Sequence, residues 1–340
     1  MRFSEKIKKM FIWITKVVIA GTCAVIVLSI FCIVYSYDGI HITNTAGSTD
    51  YVWEEKQLKS NLKEGFAWLK MDSHGFNNMN DYYKEPDILL IGSSNVEALQ
   101  VDSDENIGAL LNRMMPEYKT YNIGMSGHTI YRCVDNLDHA LQTHNPQKYI
   151  VMVTDSVDLS IEEMQKVIAQ EAEAIPSYDS GPVYHLQKNP AVKVIYKQIS
   201  DWIVTKGGNS EDEVQDSKQE ISKESYNNVL RQFLKSASEV TKNANIPLIL
   251  VYQPSQIIEE DGTIAFKHSD ENVKIFKEEC LKQGIIFHDM SKEFRVLYEE
   301  QNIIAHGFSN TEVGSGHLNK YGHELIAEAI NSEIRKLEAK

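Results

Sequence analysis

The sequence is poor in the residues and motifs that build metal sites and cross-links. Its 340 residues include 4 cysteines and no CxxC or HExxH motif, so neither a metal nor a cofactor is expected. Two of the cysteines fall inside an N-terminal apolar run, which leaves Cys133 and Cys280. Both lie in segments with helical periodicity, and two cysteines are too few for a disulfide framework. We expect two separate buried thiols.

Positive charge is also scarce. Lys and Arg number 34 against 48 Asp and Glu, which gives a formal net charge of −14. A general nucleic-acid binder needs a basic face that meets phosphates, so that class is disfavoured. The mean hydropathy of −0.32 excludes a polytopic membrane protein. An apolar fraction of 42% is sufficient for a folded core.

One long apolar run lies near the N-terminus. Val17 to Tyr35 are 19 residues without a charge, and a helix of that length roughly crosses the hydrocarbon core of a bilayer. The basic residues before it are Arg2, Lys6, Lys8, Lys9 and Lys16. By the positive-inside rule we expect a cytoplasmic basic tail over 1–16, a transmembrane anchor over 17–37 and an extracytoplasmic remainder. A cleaved signal peptide is disfavoured, because its apolar region is usually shorter and ends at a small-x-small site.

The rest of the chain alternates between short apolar runs and helical segments. Continuous apolar strands separated by helices predict a parallel sheet covered on both faces. The predicted strands are 88–91, 118–123, 149–153, 247–252 and 285–287, and the predicted helices are 106–115, 130–142, 223–244, 271–283 and 320–337. The domain is expected to span 86–340, after a polar, aromatic lead-in at 38–85 and with a polar insertion at about 174–221.

Candidate chemical groups follow the predicted strands. The first strand runs into Gly92-Ser93-Ser94-Asn95, where a serine at a helix start exposes its hydroxyl and the helix N-terminus offers N–H groups to an oxyanion. A plain helix cap is the alternative for this serine taken alone. The second strand leads into a glycine loop with Gly127, which can present backbone N–H groups to a substrate oxygen. His317 lies in a loop just before the last helix, a position that suits a general base.

Together these three features resemble the SGNH/GDSL hydrolase family. The resemblance covers about Pro86 to the C-terminus without the insertion, and its most specific parts are the Ser94 and His317 motifs. It implies a flavodoxin-like three-layer α/β/α sandwich with a parallel five-stranded sheet, preceded here by the transmembrane helix. It also implies Ser94 as the nucleophile, His317 as the catalytic base, and the backbone N–H groups of Ser94 and Gly127 as oxyanion-hole donors.

Two positions depart from the family pattern. The third motif usually supplies an Asn side chain to the oxyanion hole, whereas Ser156 is the residue closest to that position here, and its hydroxyl can donate. The family's Asp three residues before the His is replaced by Gly314. We expect Glu312, through its carboxylate, or Asn310, through its amide oxygen, to orient the imidazole instead. A Ser–His dyad oriented by a backbone carbonyl is the remaining alternative.

The resemblance implies a serine ester hydrolase or O-acyltransferase. For an exported, anchored domain we expect acyl esters, acetyl above all, of a cell-surface polysaccharide or wall polymer as substrates, with an acyl-serine intermediate. The partners would be that acylated polymer and the membrane, with no nucleic acid. Because the two departures weaken the site, the alternative is a weak or inactive domain that binds glycan or scaffolds an envelope assembly complex.

Overall fold

The computed structural model describes residues 2–35, 40–45, 48–53, 57–160, 223–267 and 270–339. The insertion predicted at about 174–221 lies outside these residues. Helix α1 (Arg2–Tyr35) contains a 23-residue stretch, Glu5–Val27, that is long and apolar enough to cross a membrane, with a mean hydropathy of 2.2. The helix begins inside the predicted basic tail, because residues 2–16 contain no Gly or Pro to stop it. The other described residues belong to a second compact unit.

The lead-in contains two antiparallel strand pairs that its sequence pattern does not indicate. β1 (Ile40–Thr45) pairs with β2 (Ser48–Trp53), and β3 (Gln57–Ser60) pairs with β4 (Phe66–Leu69). A 3-10 turn, Leu62–Glu64, connects β3 to β4. In β4 the buried residues Ala67 and Leu69 alternate with the exposed residues Phe66 and Trp68, so one face of this strand packs on the domain.

Seven further strands follow among the residues that the structure describes. They are β5 (Ile88–Gly92), β6 (Thr120–Asn122), β7 (Tyr149–Asp155), β8 (Leu248–Gln253), β9 (Gln256–Ile258), β10 (Ile264–Phe266) and β11 (Ile286–Asp289). Five of them form one parallel sheet in the order β6–β5–β7–β8–β11. These are the five strands predicted from the apolar runs, which confirms the parallel α/β fold class. β9 and β10 form a short antiparallel hairpin that was not predicted.

Helices cover both faces of this sheet. They are α2 (Ser94–Glu97), α3 (Ile107–Met114), α4 (Ile130–Asp135), α5 (Leu137–His144), α6 (Lys223–Asn243), α7 (Asp270–Gln283), α8 (Ser291–Gln301) and α9 (Lys320–Glu338). Buried residues of α4 to α7 form one core cluster with the sheet, and those of α3, α8 and α9 form a second. The result is a three-layer α/β/α sandwich. The buried thiols Cys133 and Cys280 lie in α4 and α7 and form no disulfide.

Two helical predictions differ from the structure. The segment predicted as a single helix over 130–142 is divided at Asn136 into α4 and α5. Helix α8 was not predicted, because only Phe294 and Leu297 of its 11 residues are buried and the apolar stripe is too thin to be recognised.

The strand order determines where a site can form. The chain passes from β5 to β6 on one side and then returns to β7 on the other side of β5, so the direction of winding reverses there. In open parallel sheets the crevice outside the carboxyl ends of the strands at such a reversal is the usual ligand site. Ser94 follows directly on the carboxyl end of β5.

Three histidines are buried in the neutral form. Burial lowers the pKa of His144 and of His306 to about 4, and that of His323 to about 3. Nδ1 of His144 lies 2.8 Å from the Tyr83 carbonyl oxygen, and Nε2 of His306 lies 2.6 Å from Oε1 of Gln253. The folded chain therefore resists protonation at these three positions.

We expect the free energy of unfolding to fall as the pH decreases from about 6.5 to about 4. In this range the histidines bind protons in the unfolded chain but not in the folded chain. Each of them therefore lowers the free energy of unfolding by up to about 1.4 kcal/mol per unit of decreasing pH. Replacing His323 by leucine should make this dependence less steep. Urea unfolding of the full chain in detergent, at several pH values from 8 to 4.5, measures it, and equal slopes for parent and variant would contradict the assignment.

Candidate active site

The turn that carries Ser94 is held against the end of β5 by a close backbone approach. A Cβ atom on Gly92 would lie 2.4 Å from Cγ2 of Val96, so only glycine lets α2 fold back over the strand end. Helix α2 ends after one turn at Ala98, whose φ is 57°. The helix that begins at Ser94 is therefore a single turn. One turn contributes little of the positive potential that aligned peptide dipoles provide.

Two buried asparagines satisfy the carbonyl groups that this short turn leaves without partners. The side-chain amide of Asn122 donates to the Val96 carbonyl at 2.7 Å, and that of Asn77 donates to the Glu97 and Ala98 carbonyls at 2.8 and 3.1 Å. Both asparagines are almost completely buried. Asn77 comes from the lead-in, so this segment directly supports the turn of residues 92–98 that carries Ser94, which is called the nucleophile turn below.

His317 is held in place by a short antiparallel pairing between two loops. The Gly307 N–H donates to the His317 carbonyl, the Asn319 N–H donates to the Ala305 carbonyl, and His306 pairs with Leu318 between them. This pairing directs the imidazole towards α2, where Nε2 lies 3.0 Å from Oγ of Ser94. The structure therefore brings together the two residues that the motifs predict as nucleophile and base.

The partner of the other imidazole nitrogen is Glu64, from the 3-10 turn of the lead-in. Both carboxylate oxygens of Glu64 lie 2.9 Å from Nδ1 of His317, and Oε1 also accepts the His317 backbone N–H at 2.8 Å. Burial alone would raise the pKa of this carboxyl group, but the hydrogen bonds and charge of His317 hold it below its usual value. An ionised carboxylate at Nδ1 keeps the proton there and leaves Nε2 free to accept the Ser94 proton.

The expectation that Glu312 or Asn310 orients the imidazole is wrong. Glu312 is exposed, Asn310 lines a neighbouring cavity, and Glu64 occupies Nδ1. The family's acid position cannot carry a side chain in this chain: Gly314 has a φ of 73°, and a Cβ atom there would lie 2.7 Å from the Gln256 carbonyl oxygen. Gly316 is constrained in the same way. Its φ is 102°, and a Cβ atom there would lie 2.5 Å from Oε1 of Glu64.

The loop that holds Gly127 packs against the nucleophile turn. The Met125 N–H donates to the Gly92 carbonyl at 2.9 Å, and the Ser126 N–H donates to the buried carboxylate of Glu97 at 2.8 Å. Within the described residues, the backbone N–H groups of Ser94 and Gly127 have no hydrogen-bond partner. An oxyanion hole requires such unengaged donors.

Ser156, the third predicted donor, comes directly after β7, the strand that pairs with β5. Its hydroxyl lies 2.8 Å from the hydroxyl of Ser255, and either group can be the donor in that pair. If Ser255 donates, the hydrogen of Ser156 stays available for another acceptor. The role of Ser156 as an oxyanion donor therefore stays a prediction.

Asn95 joins the nucleophile turn to the histidine loop. Its Oδ1 accepts the Leu318 N–H at 3.0 Å. Asn95 follows Ser94 in the chain, and Leu318 follows His317, so this bond links the two segments that carry the reacting side chains. Asn95 is buried, so this bond has little competition from water. The distance from Oγ of Ser94 to Nε2 of His317 therefore depends partly on the Asn95 amide.

Replacing Glu64 by glutamine should slow the reaction of Ser94 with a fluorophosphonate probe by about 10²–10⁴-fold, because the neutral amide no longer fixes the imidazole tautomer or stabilises the imidazolium. Glu312→Gln is the matched control and should stay within about twofold of the parent. The labelling rate of the full chain in detergent measures both variants. The assignment would be reversed if Glu312→Gln were labelled slowly while Glu64→Gln were labelled at the rate of the parent.

Replacing Asn95 by leucine should slow the same labelling reaction by about tenfold or more, because a small misplacement of reacting groups has large effects on rate. Asn95→Asp retains an oxygen that accepts from Leu318 and should keep more of the rate. Circular dichroism checks that both variants are folded. Equal rates for the leucine and aspartate variants would show that the hydrogen bond has no such role.

Comparisons with known proteins give distant likenesses at the level of structure. No family model and no curated protein matches the chain. Among solved structures, the acetyl xylan esterase AlAXEase is 12% identical, with a TM-score of 0.43 and coverage of 73% of this chain and 98% of that chain. The psychrotrophic esterase EstA from Pseudoalteromonas sp. is 12% identical, with a TM-score of 0.40 and coverage of 75% and 100%.

A member of the lipolytic protein G-D-S-L family from Veillonella parvula DSM 2008 is 13% identical, with a TM-score of 0.37 and coverage of 71% of this chain and 93% of that chain. At such identities and TM-scores nothing about this chain follows from the likeness, and activity has to be argued from its own residues. The chain has a parallel five-stranded sheet in the order β6–β5–β7–β8–β11, and Ser94 and His317 meet at the carboxyl edge of that sheet.

Proposed function

We propose that the chain is a membrane-anchored serine esterase or O-acyltransferase of the SGNH type. The observation that carries the proposal is the continuous line of hydrogen bonds from Oγ of Ser94 through the imidazole of His317 to the carboxylate of Glu64. A buried structural histidine has no need of a serine hydroxyl on one nitrogen and a carboxylate on the other. This arrangement is the one that nucleophilic acyl transfer requires.

In the proposed reaction, Oγ of Ser94 attacks the carbonyl carbon of an ester while its proton passes to Nε2 of His317. Glu64 stabilises the imidazolium that results, and the N–H groups of Ser94 and Gly127 bind the oxyanion of the tetrahedral intermediate. The intermediate collapses, and the leaving alkoxide takes the proton from Nε2. The acyl group is then bonded to Ser94.

The second half of the reaction decides between hydrolysis and transfer. Water or a sugar hydroxyl gives its proton to Nε2 of His317 and attacks the acyl carbon. The bond from the acyl carbon to Oγ then breaks, and Oγ of Ser94 takes the proton back from Nε2. Water yields the free acid, whereas a sugar hydroxyl yields a new ester. The proton transfer through His317 is the same for both acceptors.

The proposed substrates are acyl esters, acetyl above all, of a cell-surface polysaccharide or wall polymer. Helix α1 supports this assignment, because it is long and apolar enough to span a membrane. The basic residues that precede its apolar stretch favour a cytoplasmic N-terminus and an extracytoplasmic catalytic domain. Resemblance to the single-span exported members of the family implies the same class of substrates.

The competing proposal, an inactive scaffold or glycan-binding domain, rested on two missing groups. Glu64 now stands where the missing acid is needed. The other gap concerns one oxyanion donor, whose loss costs about 10²–10³ in rate. Such a loss predicts a slower enzyme with an intact nucleophile, and it gives no reason for an inactive one.

Ser94→Ala should abolish labelling by a fluorophosphonate probe and hydrolysis of a small acetyl ester, because it removes the hydroxyl that lies 3.0 Å from Nε2 of His317. Ser93→Ala is the matched control, since the Ser93 side chain makes no capping hydrogen bond, and it should keep both activities. In-gel fluorescence and acetate release measure the outcome. Absence of labelling in the folded parent chain would favour the scaffold.

Mass spectrometry of the peptide that contains Ser94, after incubation with an acetyl donor, should show a mass increase of one acetyl group. Adding candidate glycans should discharge it, and an acetylated glycan would indicate transfer, whereas free acetate would indicate hydrolysis. Failure to trap the acetyl group with any donor, in protein that reacts with the fluorophosphonate, would contradict the proposed acetyl specificity.

A further inference from the structure

A cavity of about 510 Å³ lies beside the candidate site, and Glu64 is part of its wall. Neither Ser94 nor His317 lines it, so the proposed acyl transfer does not account for it. Its other walls come from the β4 segment, from residues 100–105, from the 307–310 loop and from the start of α9. A volume of this size is typical of small-molecule sites.

Gln100 gives this cavity a polar side chain that can bind a ligand. The residue is nine-tenths buried and lines the cavity, and within the described residues it makes no hydrogen bond. Its amide atoms are not fully buried, so they stay open to the cavity and available to a ligand. An amide has N–H donors and a carbonyl acceptor, and a hydroxyl group can pair with either because it both accepts and donates hydrogen bonds.

Aromatic side chains rim the same cavity. Phe66 and Tyr321 line it with exposed fractions of 66% and 38%, and Trp68 lies on the same face of β4 as Phe66 with 59% exposed. The outward face of such a strand is normally polar. Oδ1 of Asp102, a residue that lines the cavity, accepts the backbone N–H of Trp68 at 2.7 Å, so strand β4 and the cavity wall are joined.

The charges in the wall nearly cancel. Lys63 and Lys320 stand against Glu64, Asp102 and Glu105. Burial raises the pKa of Glu105, and the charge of Lys320 opposes that rise, so the two side chains are close enough to interact. A polyanionic ligand would meet an excess of carboxylates here, and an acyl chain would have to desolvate several charged groups.

We infer that this cavity binds a neutral sugar unit of a glycan chain. The C–H face of a sugar ring packs on the aromatic rim, and its hydroxyl groups pair with the Gln100 amide. This inference rests on the proposed function, since it names the substrate class of that site. A glycan held here passes the Glu64 side of the triad and presents its ester to Ser94.

Isothermal titration calorimetry on the full chain in detergent tests the inference, with the Ser94→Ala variant used so that binding is separated from turnover. The probes are neutral tetrasaccharides of glucose, xylose and N-acetylglucosamine, with tetragalacturonate as the anionic comparison. At least one neutral probe should bind, and tetragalacturonate should bind about tenfold or more weakly than it. Gln100→Ala and Phe66→Ala should each weaken the neutral probe about tenfold.

Leu281→Ala is the control, because Leu281 is 62% exposed on α7 and does not line the cavity. Circular dichroism establishes that each variant is folded, and Phe66→Ala removes an exposed side chain that the core does not need. The inference is overturned if no neutral probe binds, if binding is unchanged in both cavity variants, or if tetragalacturonate binds as tightly. Labelling of Ser94 in the parent without sugar binding would leave the proposed function standing, whereas binding without labelling would leave only the subsite.

Discussion

The carboxylate of Glu64 fixes both the ring and the backbone of His317, and the rest of the site depends on that constraint. Its two oxygens reach Nδ1 at 2.9 Å, and one of them also accepts the His317 N–H at 2.8 Å. Because the carboxylate sits so close to the loop, Gly316 has no room for a side chain. Because Nδ1 is occupied, Nε2 is directed to Ser94. The lead-in is therefore part of the candidate site, although its sequence resembles a spacer.

Around this constraint, neutral amides support the nucleophile turn. The side-chain amides of Asn77 and Asn122 donate to its carbonyl groups, and Asn95 joins it to the loop that carries His317. Buried amides are costly unless every bond is made, and when made they favour a single arrangement. A one-turn helix cannot hold Ser94 by its own hydrogen bonds, so its position is set by partners from the lead-in and from β6.

The elements that could be predicted are those whose signal is local. The five central strands are continuous apolar runs, and the Ser94 and His317 motifs keep their spacing within a few residues of a strand end or a helix start. Glu64 could not be found in this way, because it is 253 residues from His317 and is one of 48 acidic residues. The only available sign was indirect: a glycine stands at position 314, where the family has its acid, so the acid had to come from elsewhere.

The separation of 253 residues between Glu64 and His317 also concerns the order in which the chain is made. Glu64 leaves the ribosome before Ser94, and His317 comes 223 residues after Ser94, so the pairing of Glu64 with His317 is the contact of longest range in the site. A chain that has been made only as far as the residues before His317 has the Ser94 hydroxyl but no imidazole to accept its proton. The line of hydrogen bonds from Ser94 to Glu64 can therefore form only after residue 317 has been made.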